Sequence, residues 1–305
     1  MSSSPTEALL RDVRSRLTSW PSPKLVVNGL SLLVGGLSST HDARMIQARR
    51  VLAGMAALEA LSSRASMPLV LMKGLEVAQL YPSPEQRPFR DLDLLARDAR
   101  PLWDSLVAQG YRPTDQPLGT RFHHLPALDH PRGLIGVDVH ERPNTPGWGL
   151  IDASFVFATA EPSRTGVPGL LRPRDDVHAL LVALHGWIGG MRRSRDLLDA
   201  LLLATVSPVP VEETAAGLGL ARFWRWTVRF AEAELQGRTD RATDAAHRIV
   251  FAGSSSPLAE RWTRVVAPYL AATPWRVTRG HLYDYSIVRE ARRAAGPVRR
   301  STPGD

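Results

Sequence analysis

The sequence contains no cysteine, and this absence excludes disulfide bonds, zinc sites with thiolate ligands and catalysis by a thiol. It has no apolar run long enough to span a bilayer. Its first residues lack the basic and then apolar segments of a signal peptide. Lysine is scarce as well, since arginine supplies nearly all of the positive charge. Together these absences predict a cytoplasmic protein and fit a reducing compartment.

What is present is typical of a globular protein with a well-buried core. The 305 residues are 44% hydrophobic and 22% charged, enough for two or three structural units. The net charge of +8 permits an anionic partner such as a nucleotide, a nucleic acid or a phosphorylated peptide. An arginine- and alanine-rich composition also follows from a GC-rich genome, so the charge alone does not identify a partner.

The stretch from Leu69 to Leu95 holds the strongest candidate for a functional site. It begins with a short apolar run and Lys73-Gly74, passes through a proline-rich loop, and ends in Asp91-Leu92-Asp93-Leu94. In a strand, alternate side chains share a face, which places Asp91 and Asp93 on one side with Cα atoms about 6.6 Å apart. Two carboxylates at this spacing can hold one hard cation or bracket a pair of cations. The alternative is a solvated edge strand with one polar face and no function.

A second strand predicted over 134–140 carries another polar pair. Ile135, Val137 and Val139 form its apolar face, so Asp138 and His140 share the opposite face. The sequence predicts that this strand pairs with an earlier one over 120–125, through a turn at 130–133. An acid in a hairpin that faces water is the alternative for Asp138.

Histidines are numerous near these strands, but none of their spacings matches a known zinc motif. The histidines concerned are His123, His124, His130, His140, His178 and His185. We expect His140 to support a neighbouring ligand or to contact an acceptor, rather than to belong to a zinc site built from histidines.

The pattern resembles a bacterial family of nucleotidyltransferase-like proteins within the DNA polymerase β-type nucleotidyltransferase superfamily. That family has a strand ending in Leu-Lys-Gly, a Tyr-Pro loop, and then Arg-Pro-x-x-Asp-x-Asp-Leu-Leu. The matching residues are Lys73, Gly74, Tyr81, Pro82, Arg87, Pro88, Asp91, Asp93, Leu94 and Leu95. Val137-Asp138-Val139-His140 and the elements between Asp176 and Asp199 are also similar to family motifs.

The resemblance implies a transferase that moves a nucleoside monophosphate from an NTP, such as ATP, to an acceptor and releases pyrophosphate. Asp91, Asp93 and Asp138 would hold two Mg²⁺ ions, or Mn²⁺ in their place. One cation would activate the acceptor and the other would bind the triphosphate. The acceptor would carry a hydroxyl or a phosphate, on a small molecule, a peptide or a protein.

The resemblance also implies residues that bind the nucleotide. Lys73 would contact the phosphates as a point charge, at a turn where Gly74 lets the backbone approach closely. Arg87 and Arg90 would neutralise the triphosphate or hold a carboxylate in a bidentate pair. Better characterised members of the superfamily have Gly-Ser where this chain has Lys73-Gly74, and their Ser contacts the phosphates.

The predicted fold is α+β, with a mixed-sheet nucleotidyltransferase core between helical regions. We expect an N-terminal helical region over 1–66, the core with its connector over 67–172, and a C-terminal helical region with a basic tail over 173–305. Phe223, Trp226 and Phe230 recur at helical spacing and are predicted to be buried.

Two other functions fit the same residues. The first is a transferase directed at nucleic acid, such as one that modifies tRNA ends, although the sequence shows no RNA-binding motif. The second is a non-catalytic family member that binds a peptide or another partner. The sequence does not determine the nucleotide, the acceptor or the oligomeric state.

Overall fold

A mixed seven-stranded sheet lies at the centre of the part of the chain described by the computed structural model. That part comprises residues 4–20, 25, 29–34, 40–65, 67–114, 123–144, 151–188, 194–237 and 241. The strands are β1 (Leu69–Leu71), β2 (Asp91–Ala96), β3 (Arg112–Pro113), β4 (Leu128–Asp129), β5 (Gly136–His140), β6 (Glu161–Pro162) and β7 (Leu170–Arg172). Their order is β3-β4-β5-β2-β1-β7-β6. The α+β prediction with a mixed sheet is confirmed.

Helices surround the sheet. They are α1 (Pro5–Leu17), α2 (Ser31–Val34), α3 (Thr40–Ser62), α4 (Leu75–Ala78), α5 (Ala99–Ala108), α6 (Ala153–Ala158), α7 (Asp175–Ile188), α8 (Ser194–Val206), α9 (Val211–Gly217) and α10 (Ala221–Ala231). A short 3₁₀ helix covers Pro84–Gln86, and a short π-helix covers Glu232–Gln236. The sequence explains several of these boundaries. At α1, for example, Ser4 and Glu7 form a capping box.

The central pairing of β2 with β5 is parallel and sets the position of the acids. Asp93 lies opposite Asp138, and Asp91 lies opposite Gly136. Since side chains alternate along a strand, both pairs fall on the same face of the sheet. Strand β1 runs antiparallel to β2 and brings the end of its apolar run beside this face.

The two faces of the sheet belong to different apolar cores. Leu92 and Leu94 pack with Leu58 of α3 in one core. On the other face Leu95 packs in a second core that includes Val177 of α7 and Leu198 of α8. The acids therefore lie on the side of the sheet covered by the C-terminal helices. The predicted division into three regions stays a prediction.

The predicted hairpin differs in detail from the structure. Residues 120–122 lie outside the described residues, and His124 forms an isolated antiparallel bridge with His140. The strand that pairs with β5 through the predicted turn is β4, in which Leu128 lies opposite Val137 and Asp129 opposite Gly136. The Leu125 N–H also donates to the Val139 carbonyl, so the predicted segment contacts the end of β5. The turn at 130–133 is confirmed by the hydrogen bond from Gly133 N to His130 O.

Near the C-terminus, Phe223 and Phe230 are buried as predicted, whereas Trp226 is half-buried. Of the two tryptophans in α10, Trp224 is the buried one, and its indole donates to Glu212. The predicted basic tail, with Arg289 to Arg300, lies outside the described residues.

No helix within the described ranges combines the length and the apolar character needed to cross a membrane.

Candidate functional site

The parallel pairing of β2 with β5 collects two carboxylates and one imidazole. One potential ligand atom from each of Asp93, Asp138 and His140 lies within 4.8 Å of the others. All three residues are buried, with exposed fractions of 6%, 8% and 1%. Acids buried at this level need a partner charge or a cation, because an unpaired buried charge is costly. The three residues could therefore hold a divalent metal ion.

One carboxylate oxygen of Asp93 already has two donors. The Lys73 Nζ lies 2.9 Å and the His140 Nε2 lies 3.1 Å from Asp93 Oδ1. Burial alone would raise the pKa of Asp93, but Lys73 and His140 hold it well below its usual range. Burial alone would likewise lower the pKa of Lys73, but the Asp93 carboxylate outweighs it and the pKa is raised. Asp93 is thus ionised, and His140 donates its Nε2 hydrogen to it.

Gly74 fixes the turn that carries Lys73 to Asp93. Its φ of 59° is in the left-handed region that favours glycine. A Cβ atom placed on Gly74 would lie 2.8 Å from the carbonyl oxygen of Asp91. The predicted close approach of the backbone at Gly74 is therefore an approach to strand β2.

Asp91 stands apart from the cluster, although it lies on the same face of the sheet. It is half-buried, whereas Asp93 is buried. Burial and the neighbouring Asp93 carboxylate raise the pKa of Asp91. Asp91 also interacts electrostatically with Arg50 of α3. Burial and the positive charge of Arg90 lower the pKa of Arg50, and the negative charge of Asp91 opposes this shift.

A small open cavity adjoins Lys73 on the side of the C-terminal helices. Its polar lining consists of Lys73, His123, Asn144 and His185. The Lys73 Nζ lies 3.3 Å from His185 Nδ1, so α7 contributes directly to the surroundings of the site. The positive charge of Lys73 lowers the pKa of His185 to about 4. His185 is therefore neutral near pH 7.

The comparison with protein families identifies the family of this chain. A family model described as an uncharacterised nucleotidyltransferase matches residues 33–233, more than half of the chain. The chain belongs to this family. A search of curated proteins and a search of solved structures each found no match.

Arg90 and Arg87, both predicted to bind the nucleotide, differ in their surroundings. Arg90 is exposed beside Asp91. Arg87 is buried beneath the Gly74 turn, where it donates to Asp199 Oδ2 at 2.7 and 2.9 Å and to the Gly74 carbonyl at 3.0 Å. Tyr81 donates to the other oxygen of Asp199 at 2.7 Å. Arg87 thus ties α8 to the turn by holding a carboxylate, although its two N–H groups donate to one oxygen of Asp199 instead of forming a bidentate pair.

The sequence placed His140 as a residue that supports a neighbouring ligand, but it did not include His140 in the metal-ligand set or His185 in the site. His140 belongs to the candidate metal cluster, together with two acids rather than with other histidines. The rings of His123 and His124 lie 5.1 and 5.2 Å from that of His140. The sequence assigned no role to His185. The signal for His185 in the sequence is the family similarity of the elements between Asp176 and Asp199, a stretch that includes the end of α7.

Proposed function

We propose that this chain is a metal-dependent nucleotidyltransferase that moves a nucleoside monophosphate from an NTP to an acceptor hydroxyl or phosphate. The observation that carries the proposal is the convergence of Asp93, Asp138 and His140, within 4.8 Å, beside the Lys73 ammonium. A site of buried acids with an adjacent cation suits phosphates and the divalent ions that accompany them. We also propose that the chain's family belongs to the DNA polymerase β-type nucleotidyltransferase superfamily.

The donor set fits a divalent cation. Carboxylate oxygens suit Mg²⁺ and Mn²⁺, and an imidazole is accepted more readily by transition metals such as Mn²⁺. Asp93, Asp138 and His140 would hold one ion, and Asp91 with Asp93 would face a second ion on the nucleotide. Such ions would neutralise phosphate charge and lower the pKa of the acceptor hydroxyl.

The chain's own residues position the reactants. Lys73 would bind the phosphates, and Arg90 would meet the nucleotide from the exposed edge of β2. In the transfer, an acceptor oxygen forms a bond to the α-phosphorus while the bond from that phosphorus to the bridging oxygen breaks. Pyrophosphate leaves with the electron pair of that bond, and the acceptor proton passes to solvent. Arg87 would act indirectly, because it holds the Gly74 turn.

A second candidate rests on one contact. Lys73 Nζ lies 2.9 Å from Asp93 Oδ1, so a side chain already supplies positive charge at the carboxylate that a metal would use. This arrangement favours a non-catalytic family member that binds a peptide or another partner. Metal and nucleotide binding separate the two candidates.

The first test measures Mg²⁺- or Mn²⁺-dependent binding of the four NTPs by calorimetry, and pyrophosphate release with candidate acceptors. Asp93→Asn removes the charge and keeps an oxygen for Lys73 and His140, so we expect a folded protein whose turnover falls at least about a hundredfold. Asp129→Asn, at an exposed acid of β4, is the matched control and should behave as wild type. Turnover retained in Asp93→Asn would contradict the proposal. Partner binding without any NTP binding would favour the second candidate.

A further inference from the structure

The contact between Lys73 and His185 determines which ring nitrogen of His185 carries hydrogen. An ammonium group donates hydrogen bonds and cannot accept them. The Lys73 Nζ lies 3.3 Å from His185 Nδ1, so this nitrogen must accept and holds no hydrogen. In the neutral ring the hydrogen is then on Nε2. His185 therefore offers one N–H donor, at the nitrogen that Lys73 does not contact.

The cavity next to this pair is suited to an anion. Lys73, His123, Asn144 and His185 form its polar lining, and no acidic side chain lines it in the described part of the chain. His123 Nδ1 is buried and has no hydrogen-bond partner among the described residues. A buried polar atom without a partner is costly, and a ligand that pairs with it removes that cost. The Lys73 ammonium attracts an anion, and the unpaired His123 nitrogen is a second polar atom with which a ligand in the cavity can pair.

We propose that His185 is a phosphate-binding residue, which with Lys73 holds the terminal phosphates of the NTP through its Nε2–H. The inference rests on the proposed function and adds a residue from the C-terminal helices to the same site. Negative charge grows on the leaving pyrophosphate as the bond to the α-phosphorus breaks. A neutral N–H donor beside an ammonium stabilises that charge and still lets the product leave.

Two substitutions separate the possible roles of the two ring nitrogens. The side-chain amide of glutamine reaches about as far as Nε2, so His185→Gln keeps a donor for a phosphate. Asparagine reaches only to the position of Nδ1, so His185→Asn keeps the acceptor for Lys73 and loses the distal donor. His185→Ala removes both. His185 is exposed, so the three variants should fold, and thermal unfolding checks this.

The experiment is calorimetric titration of each full-length variant with inorganic pyrophosphate and with ATP, in the presence of Mn²⁺. We expect His185→Gln to bind within a few-fold of wild type. His185→Asn and His185→Ala should bind about ten- to a hundredfold more weakly, the loss of one hydrogen bond to a charged group.

Each other outcome overturns the inference in a distinct way. Wild-type affinity in His185→Asn with weak binding in His185→Gln would mean that His185 acts through Nδ1 on Lys73 alone. Equal affinity in all variants would mean that His185 does not contact the phosphates, and the proposed function would stand. If wild type bound neither pyrophosphate nor any NTP, the proposed function would fail together with the inference.

Discussion

At the scale of single residues, Lys73 has surroundings that arginine does not fit. The chain has 38 basic residues, and Lys24 and Lys73 are its two lysines. Lys73 Nζ contacts Asp93 at 2.9 Å and His185 at 3.3 Å, and its side chain is 15% exposed. A planar guanidinium is larger and donates in a fixed fork, so it cannot take the place of a compact ammonium between two partners.

We therefore expect Lys73→Arg to weaken NTP binding at least about tenfold, although the charge is kept. Calorimetry with ATP and Mn²⁺ measures this directly. Arg100→Lys, at an exposed helix position, is the control and should leave binding unchanged. Lys73→Arg binding at wild-type affinity would show that charge alone is required at this position.

The candidate site was predictable from sequence as far as local geometry reaches. Strand periodicity placed Asp91 with Asp93 and Asp138 with His140, and the sheet pairing then brought the two strands together. His185 was not predictable as a neighbour of Lys73, because the two are 112 residues apart and meet only through packing of α7 on the sheet. The separation of Asp91 from the cluster was also not predictable, since strand spacing fixes the Cα positions but not which ligand atoms come within 4.8 Å of one another.

At the scale of elements, the turn between β1 and α4 depends on Gly74. Gly74→Ala adds a Cβ that meets the Asp91 carbonyl in a backbone conformation unsuited to alanine. We expect the free energy of unfolding to fall by about 2 kcal/mol or more. Chemical denaturation measures it. Gly217→Ala is the control, since nothing lies within 4 Å of the added atom and alanine favours the helix. Equal stability of Gly74→Ala and wild type would contradict the strain at this turn.

The ion pair of Arg87 and Asp199 joins α8 to that turn. Both side chains are almost fully buried, at 5% and 0% exposed. Asp199→Ala would leave the guanidinium buried without its partner, so we expect a loss of about 3–5 kcal/mol in the free energy of unfolding. Asp104→Ala breaks the exposed pair with Arg100 and should cost at most about 0.5 kcal/mol. Denaturant unfolding of both variants compares them, and similar losses would mean that the buried pair is not an anchor.

At the scale of the whole molecule, different helices cover the two faces of the sheet. One of them, α7, buries a histidine whose titration makes the stability of the fold depend on pH. His178 of α7 is fully buried and donates its Nε2 hydrogen to the Met72 carbonyl. Burial, with Arg164 nearby, lowers the pKa of His178 to about 3. Between this value and the pKa of about 6.5 in the unfolded chain, the unfolded state binds more protons. Stability therefore rises with pH across that interval and falls as the solution is acidified.

His178→Gln keeps a donor for Met72 and cannot titrate. Between pH 6 and 4.5 we expect wild type to lose stability more steeply than this variant, with a difference approaching about 1.4 kcal/mol per pH unit. Denaturant unfolding at several pH values gives both slopes. Equal slopes would contradict a neutral His178 in the folded protein.

The distance along the chain between Arg87 and Asp199 has a consequence during synthesis. The carboxylate that neutralises Arg87 is translated 112 residues later, as is the imidazole beside Lys73. At roughly 5–20 residues per second, the ribosome needs on the order of ten seconds to supply them. The acids of β2 and β5 emerge well before that time. A nascent or prematurely released chain therefore carries the carboxylates of β2 and β5 without α7 and α8, the helices that contact Lys73 and the Gly74 turn. The site is completed only after residues 175–199 have been made.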